Sequence, residues 1–282
     1  MVKRIYNAKQ IDECFRQTIH PELWTAIIPA AGRGLRLMYD NPKILFPVAG
    51  KPILNWLIAL LSPFCEKFVF IFSPDGKEKI EPVLKNLMVP DRYQIAIQES
   101  ANGMGDAIVR TKEHVKTKYS LIIWGDQVGI KKETIERSIR AHEQRENALL
   151  TNPTVWKKNP YIHFQRDCCG RIIHIMQARE EELMPEEGEN DCGLFLFDTK
   201  ALFDALSEAG KKKYSKGTKT EEFNLLPIIP SLDKNPGNVA CLHIISEEET
   251  IGVNTRDDAE LLSEILTKRR HENVTSGYTS GF

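Results

Sequence analysis

Long apolar runs are missing from this chain of 282 residues. The longest, residues 53–61, is interrupted by Asn55 and falls far short of the ~20 residues that cross a bilayer. No membrane association is therefore expected. An excess of positive charge is missing too, with 38 Lys and Arg against 39 Asp and Glu and a net charge of −1. Nucleic-acid binders need a basic footprint to neutralise phosphates, so no nucleic-acid partner is expected, although a local basic pocket fits the balance. CxxC spacing is also absent. Cys14, Cys65, Cys168, Cys169, Cys192 and Cys241 suit neither a zinc knuckle nor a disulfide framework, and read as reduced thiols. The early basic residues of MVKRIYNAKQIDE have no apolar stretch behind them, unlike a secretory signal. A cytoplasmic location is the expectation, with no internal repeat and a size ordinary for one α/β domain.

What is present is alternation of strands and helices. Ile5, Ala8, Ile11, Phe15 and Ile19 form a helical stripe that Pro21 stops, so residues 1–22 are expected to be a helical extension packed outside the main domain. Strand-like runs at 25–30, 68–72, 94–98 and 120–124 alternate with helical patterns near 52–62, 77–88, 105–116 and 131–145. That order predicts βαβ units and a mainly parallel sheet. Further on, 148–155, 171–177, 194–197 and 240–245 read as strands, and 199–208, 221–229 and 255–268 as helices. Thr255 and Asp258 give the last helix a capping-box start. An acidic run (179–191) and a basic run (Lys211, Lys212, Lys213, Lys216, Lys219) read as solvated loops. The glycine- and serine-rich residues 271–282 read as a flexible tail. Together these predict a single Rossmann-like α/β domain with a mixed, mainly parallel sheet over 23–270, its nucleotide half at 23–147 and its acceptor half at 148–270.

The most informative stretch is AIIPAAGRGLRLMYDNPK, residues 26–43. A buried strand runs into Ala30 and Ala31; Gly32 and Gly34 then allow a sharp turn and close approach of a ligand. Backbone N–H groups in such a turn form an anion site, and Arg33, Arg36 and Lys43 add three cations. The stretch is neither a P-loop, which needs GxxxxGK followed by Ser or Thr, nor a GxGxxG fingerprint, since Leu37 holds the last glycine's place. No acid follows about 20 residues on for a dinucleotide ribose.

The string AAGRGLRL…NPKILFPVAGKPILNWLI resembles the signature of the sugar-1-phosphate nucleotidyltransferases, most of all the uridyltransferase domain of the N-acetylglucosamine-1-phosphate uridyltransferases. Four later stretches are similar to that family in the same order. They are Gln98 to Ala107 (QESANGMGDA), Trp124-Gly125-Asp126, Asn190 to Asp198 (NDCGLFLFD) and Gly252 to Arg256 (GVNTR). The resemblance implies transfer of a nucleotidyl group from an NTP to a sugar 1-phosphate with release of pyrophosphate. Because the acceptor phosphate is already ionised near neutral pH, the work is positioning and charge neutralisation, and Mg²⁺ suits hard oxygen ligands. On this likeness Arg36, Lys43 and Asp126 form the catalytic set, and Asp126 with Asn254 holds the metal. Ala30, Ala31, Gly32, Gly34, Gln98, Gly103, Gly105 and Gly125 bind the nucleotide; Tyr161, Gln177, Asp191 and Gly193 line the acceptor site. Gly105 would open a helix whose N-terminus favours anions.

The departures concentrate in the acceptor half. The family's YGR step is Tyr161-Ile162-His163 here, a sugar-binding glutamate is Gln177, and EYYxTD becomes Glu222-Phe223-Asn224-Leu225-Leu226-Pro227. The asparagine of the family's NTG aligns with Asp191, one residue past Asn190. Leu35 and Met104 replace two threonines in the nucleotide half. UTP is the leading donor and CTP the variant, the latter with a phosphorylated alcohol, phosphocholine or phosphonate as acceptor. A non-catalytic nucleotide-binding relative is a further alternative. No hexapeptide repeat follows the domain, so acetyl transfer is not expected, and oligomeric state is not legible.

Overall fold

The structure, a computed structural model, describes residues 4–32, 34–211 and 216–275. Its strands are β1 (Ile5–Asn7), β2 (Trp24–Pro29), β3 (Pro47–Val48), β4 (Lys51–Pro52), β5 (Lys67–Phe72), β6 (Tyr93–Ile97), β7 (Tyr119–Ile123), β8 (Leu150–Lys158), β9 (Ile162–Arg166), β10 (Ile172–Gln177), β11 (Glu187–Asp191), β12 (Leu194–Asp198) and β13 (Val239–His243). Its helices are α1 (Ala8–Cys14), α2 (Ile53–Leu61), α3 (Pro74–Leu87), α4 (Met104–Val109), α5 (Lys132–Glu143), α6 (Thr199–Gly210), α7 (Ile229–Leu232) and α8 (Arg256–Thr275). The main sheet runs β1-β13-β8-β12-β7-β2-β5-β6, with β11 paired to β8. β12 is antiparallel to β7 and β8, and β11 is antiparallel to β8; the remaining neighbours are parallel. The expected mixed, mainly parallel sheet is the one observed.

Alternation along the central strands divides the apolar interior in two. In β5, Phe68, Phe70 and Phe72 face one side, their rings stacked at 6.1 and 5.8 Å, whereas Val69 and Ile71 face the other. Trp24, Ala26 and Ile28 of β2 join the first side, where α2, α3, α5 and α8 contribute Leu57, Ile80, Ile139 and Leu262. On the second side Ile27, Ile122, Phe195 and Phe197 pack with Ile108 of α4, Leu202 of α6, and Phe164 and Ile175 of the β9–β10 hairpin. Helices thus cover both faces and leave the carboxyl ends of β2, β5 and β7 at one edge, where open α/β sheets place ligands.

The amino-terminal segment departs from its expected helix. Residues 5–7 add a parallel edge strand beside β13, and the helix is confined to Ala8–Cys14, capped by Asn7, whose side chain accepts from Gln10 N–H. Three residues pairing with an open edge satisfy more backbone groups than a solitary first turn would. α1 then docks on α5 as Asp12 accepts hydrogen bonds from Arg137 and Arg140.

The capping box at Thr255 forms as read: its hydroxyl accepts from Asp258 N–H (3.2 Å) while the Asp258 carboxylate accepts from Thr255 N–H (2.8 Å). α8 continues through residue 275, past the expected tail boundary; residues 276–282 lie outside the described residues, as do Lys212 and Lys213 of the basic run. Among the described residues the six cysteines are free, and no helix is long and apolar enough to cross a membrane.

Candidate active site

Four of the sequence-selected side chains meet at the carboxyl edge of the sheet. Lys43, in a 3-10 turn that Pro42 introduces, lies 2.6 Å from Asp126 Oδ2 and 2.9 Å from Asn254 Oδ1. Arg36 Nη2 donates to the same Asn254 oxygen at 3.1 Å. Asn254 Nδ2 donates to Gly252 O, which fixes the amide with its oxygen toward the two cations. The backbone builds this junction. Val253 N–H donates to Asp126 O, and a methyl group at Gly252 would lie 3.2 Å from the Asp126 carboxylate. The GVNTR segment and the turn after β7 are therefore held in contact.

The loop after β2 is clamped to that segment. Arg256 donates to Leu37 O at 3.1 Å and Met38 O at 3.2 Å, a role the sequence did not disclose although its motif was noted. Gly34 takes φ +60, a left-handed conformation natural to glycine, and a Cβ there would press on Lys43 at 2.9 Å. Gly32 differs: a Cβ would meet nothing within 4 Å, so the space before it is open. Ala30 N–H continues the β2 ladder to Ile71 O, while Ala31 is half-buried at the loop's start. Gly125 sits where a Cβ would reach Pro29 O at 2.5 Å, which brings Asp126 close to the end of β2. Arg33 lies outside the described residues.

The second loop reads differently from its expectation. Gln98 is buried, and its amide nitrogen donates to Gly103 O (3.0 Å) and Asp106 Oδ2 (2.9 Å). Two acceptors dictate the amide's orientation. Gly103 has φ +102, and a Cβ there would strike Phe223 O at 2.5 Å; at Gly105 it would lie 2.9 Å from the same atom. Gly105 N–H donates to Phe223 O and Phe223 N–H donates to Asn102 O, both 2.8 Å. These glycines are thus fitted to residues 222–224. The anion role expected at the helix start is not available, because the Gly105 N–H is committed and α4 ends at Val109 after six residues.

Residues 221–225, expected to begin a helix, instead belong to a strap (216–225) that crosses the loop at 98–105; helical turns start only at Leu226. The strap is anchored on Glu180, which the acidic run had marked as solvated. This buried carboxylate accepts from Lys219 N–H, Thr220 N–H, the Thr220 hydroxyl and Asn224 Nδ2. Desolvation pushes its pKa up most, yet these hydrogen bonds, with Arg179 nearby, hold it below the usual value. The same run contains β11, whose Glu189 is buried between Arg166, Thr154 and His243. There burial opposes ionisation, but the Arg166 and His243 partners bring the pKa down to about 2.

In β11, Asn190 and Asp191 separate. Asn190 Oδ1 accepts from the N–H groups of Tyr161 and Ile162, both at 3.0 Å, and its amide donates to Asp191 O. Asp191 Oδ1 accepts from Gly193 N–H at 2.9 Å, whereas its Oδ2 is buried without a partner; desolvation raises its pKa to about 6. Gly193 O accepts from Trp124 N–H, and a Cβ on Gly193 would collide with the Trp124 ring and Gln127. The Asp191–Gly193 turn therefore stands against the turn that carries Asp126. Tyr161 is 59% exposed, and Gln177 is buried with its N–H donating to Glu182.

A family model for the MobA-like NTP transferase domain matches residues 26–189, covering these loops as far as β11. The chain is similar to the bifunctional protein GlmU of Carboxydothermus hydrogenoformans, 30% identical over 250 residues that cover 87% of this chain and 53% of that protein. GlmU of Enterococcus faecalis is 31% identical over 262 residues, 90% of this chain and 54% of the relative. GlmU of Listeria monocytogenes is 27% identical over 252 residues, 88% and 53%. The chain thus spans about half the length of these curated relatives. With the sheet order, the edge loops and this match together, the chain belongs to the MobA-like NTP transferase family, a family of nucleotidyltransferases.

Proposed function

We propose that the chain transfers a nucleotidyl group from a pyrimidine nucleoside triphosphate to a phosphorylated small molecule and releases pyrophosphate. UTP is the leading donor and CTP the variant; a sugar 1-phosphate is the acceptor that the family resemblance favours. The observation that carries the reading is the junction of Arg36 and Lys43 with Asp126 and Asn254 at the sheet's carboxyl edge. Phosphoryl chemistry needs positive charge aimed at the α-phosphate and the departing pyrophosphate rather than a protein nucleophile.

What supports magnesium is the donor set. The Lys43 ammonium lies between a carboxylate oxygen and an amide oxygen, and two converging hard oxygens held around a positive centre suit a small divalent cation. Among the described residues no group of three or more His, Cys, Asp or Glu forms a metal cage, in keeping with a cation that takes its other ligands from water and phosphates. Asp126 and Asn254 would hold it, and bound there it would neutralise charge on the triphosphate. Lys43 and Arg36 then grip the phosphates while the backbone at Gly32 lies open toward them. An acceptor phosphate oxygen attacks the α-phosphorus in line, and the bond to pyrophosphate breaks. At Gln98 the committed amide nitrogen leaves Oε1 to accept from a base, N3–H of uracil or N4–H of cytosine.

Incubation with each NTP, Mg²⁺ and a panel of phosphorylated acceptors, read as pyrophosphate release, tests this. The expected result is release with one pyrimidine triphosphate and one acceptor class. Tight nucleotide binding with no release above an Asp126→Ala background would make the chain a non-catalytic relative.

A further inference from the structure

Cys168 and Cys169 are adjacent in sequence, and the transfer reaction uses neither. They occupy the turn between β9 and β10 as free, exposed thiols, whereas Cys65, Cys192 and Cys241 are buried. The turn is firmly set. Asp167 Oδ1 accepts from the N–H groups of Cys169 and Arg171, each at 2.9 Å, and Gly170 N–H donates to Asp167 O at 2.9 Å. Gly170 takes φ +74, and its carbonyl accepts from Arg166 Nη1 at 2.8 Å, which ties the turn to the buried Glu189. The two thiols meet: the Cys169 thiol shares a hydrogen bond with the Cys168 sulfur, and that bond, with the charges of Cys168 and Asp167, pushes its pKa up. Protonated thiols are poor nucleophiles, so the pair is not built for redox attack. A disulfide between them is disfavoured as well, because consecutive Cα atoms stand about 3.8 Å apart, short of the ~4.4–6.8 Å that a relaxed disulfide spans. Among the described residues no group of three or more metal-type side chains forms, so a four-coordinate zinc site is not present either.

We infer that Cys168 and Cys169 form a binding site for trivalent arsenic, held by two sulfur–arsenic bonds. Soft centres select thiolate sulfur. A two-coordinate ion drives its two sulfurs to opposite sides, whereas pyramidal arsenic needs them side by side, as they stand in this turn, and takes its third ligand from outside the chain. The balance is simple. With an arsenoxide R–As=O, two S–H bonds and the bonds to oxygen break, two S–As bonds form and one water leaves; nothing is oxidised or reduced. The protons depart with the water, so protonated thiols are no obstacle. After the first bond the second is intramolecular, and the turn is already ordered, so closing the ring costs little further entropy. Two sources share this chemistry: arsenite and organic arsenoxides. The site is independent of the proposed transfer reaction, since neither cysteine belongs to the junction at Lys43.

The test titrates the reduced, full-length native chain with phenylarsine oxide and, separately, with arsenite. Exposed thiols are counted with a chromogenic disulfide, and the adduct is weighed by intact-protein mass spectrometry. Cys14, Cys168 and Cys169 are the exposed cysteines; one equivalent of phenylarsine oxide is expected to hide Cys168 and Cys169 and leave Cys14 titratable. The mass gain should equal the arsenoxide less one water, and a 1,2-dithiol should remove the adduct while a single-thiol reagent at the same concentration does not. Cys168→Ser and Cys169→Ser, each on the surface and checked for an unchanged melting temperature, are both expected to weaken binding at least a hundredfold, whereas Cys14→Ser binds as the native chain does. Arsenite is expected to give the same protection at higher concentration; protection by phenylarsine oxide alone restricts the site to organic arsenoxides. An adduct that survives in either single variant, that requires Cys14, or that a single-thiol reagent removes as readily as the dithiol overturns the inference.

Discussion

Individual glycines of the edge loops have separable duties, and substitution tells them apart. At Gly125 the missing Cβ is demanded by Pro29 O at 2.5 Å, whereas at Gly32 nothing stands within 4 Å. Gly125→Ala is expected to cost ~1–3 kcal/mol, as overpacking does, and to lower the melting temperature by several degrees. Gly32→Ala should leave stability within ~0.5 kcal/mol but weaken triphosphate binding at least tenfold, since the methyl group would fill open space that the proposed function assigns to phosphate. Thermal melts paired with calorimetry check both; a Gly32→Ala protein that melts early and binds normally would reverse the assignment. Arg36 and Lys43 were readable as candidates because they lie with Gly34 in one motif. Arg256, Glu180 and Asn224 were not, since their hydrogen bonds join segments far apart in sequence and leave no local periodicity.

Among elements, the strap at 216–225 ties Glu180 to the loop at 98–105. Its Phe223 backbone bonds to Asn102 and Gly105 fix the loop that presents Gln98, and Glu180 holds the strap in place. Glu180→Ala is therefore expected to raise the KM for the NTP several-fold with little change in kcat, and Glu180→Gln, which keeps the shape and some acceptors, to recover part of it. A fall in kcat at unchanged KM would place Glu180 elsewhere in the mechanism. The central strands β2, β5 and β7 were legible because buried parallel strands are continuous apolar runs. β11 was not: its sequence, EGEND, is polar throughout, and only tertiary partners such as Arg166 and the 161–162 backbone make burial of Glu189 and Asn190 tolerable. The strap was misread as helix for a related reason, because Glu180 and the Gly103 loop supply backbone and side-chain partners that local propensity cannot anticipate.

For the molecule as a whole, the Glu189 cluster joins β8, β9, β11 and β13 through Thr154, Arg166 and His243. A carboxylate lowered from an ordinary 4.5 to about 2 adds stability that is fully present above pH 4.5 and is lost as pH falls toward about 2. The contribution is at most ~3 kcal/mol. Denaturant melts of the native chain should lose stability across that window, and Glu189→Gln should be less stable near neutrality with a flatter acid limb; parallel acid limbs would contradict the linkage. The order of the main sheet, with β1 at one edge and β6 at the other, leaves the carboxyl ends of β2 and β7 side by side. That arrangement is what lets residues as distant in sequence as Lys43, Asp126 and Asn254 form one centre.

That centre is tested most directly by single-turnover pyrophosphate release with saturating NTP, acceptor and Mg²⁺, comparing the native chain with Asp126→Ala and Asn254→Ala. Loss of at least a hundredfold in rate for Asp126→Ala and a smaller loss for Asn254→Ala, with the NTP still bound, is the predicted result. Rates equal to the native chain's in both variants would contradict it.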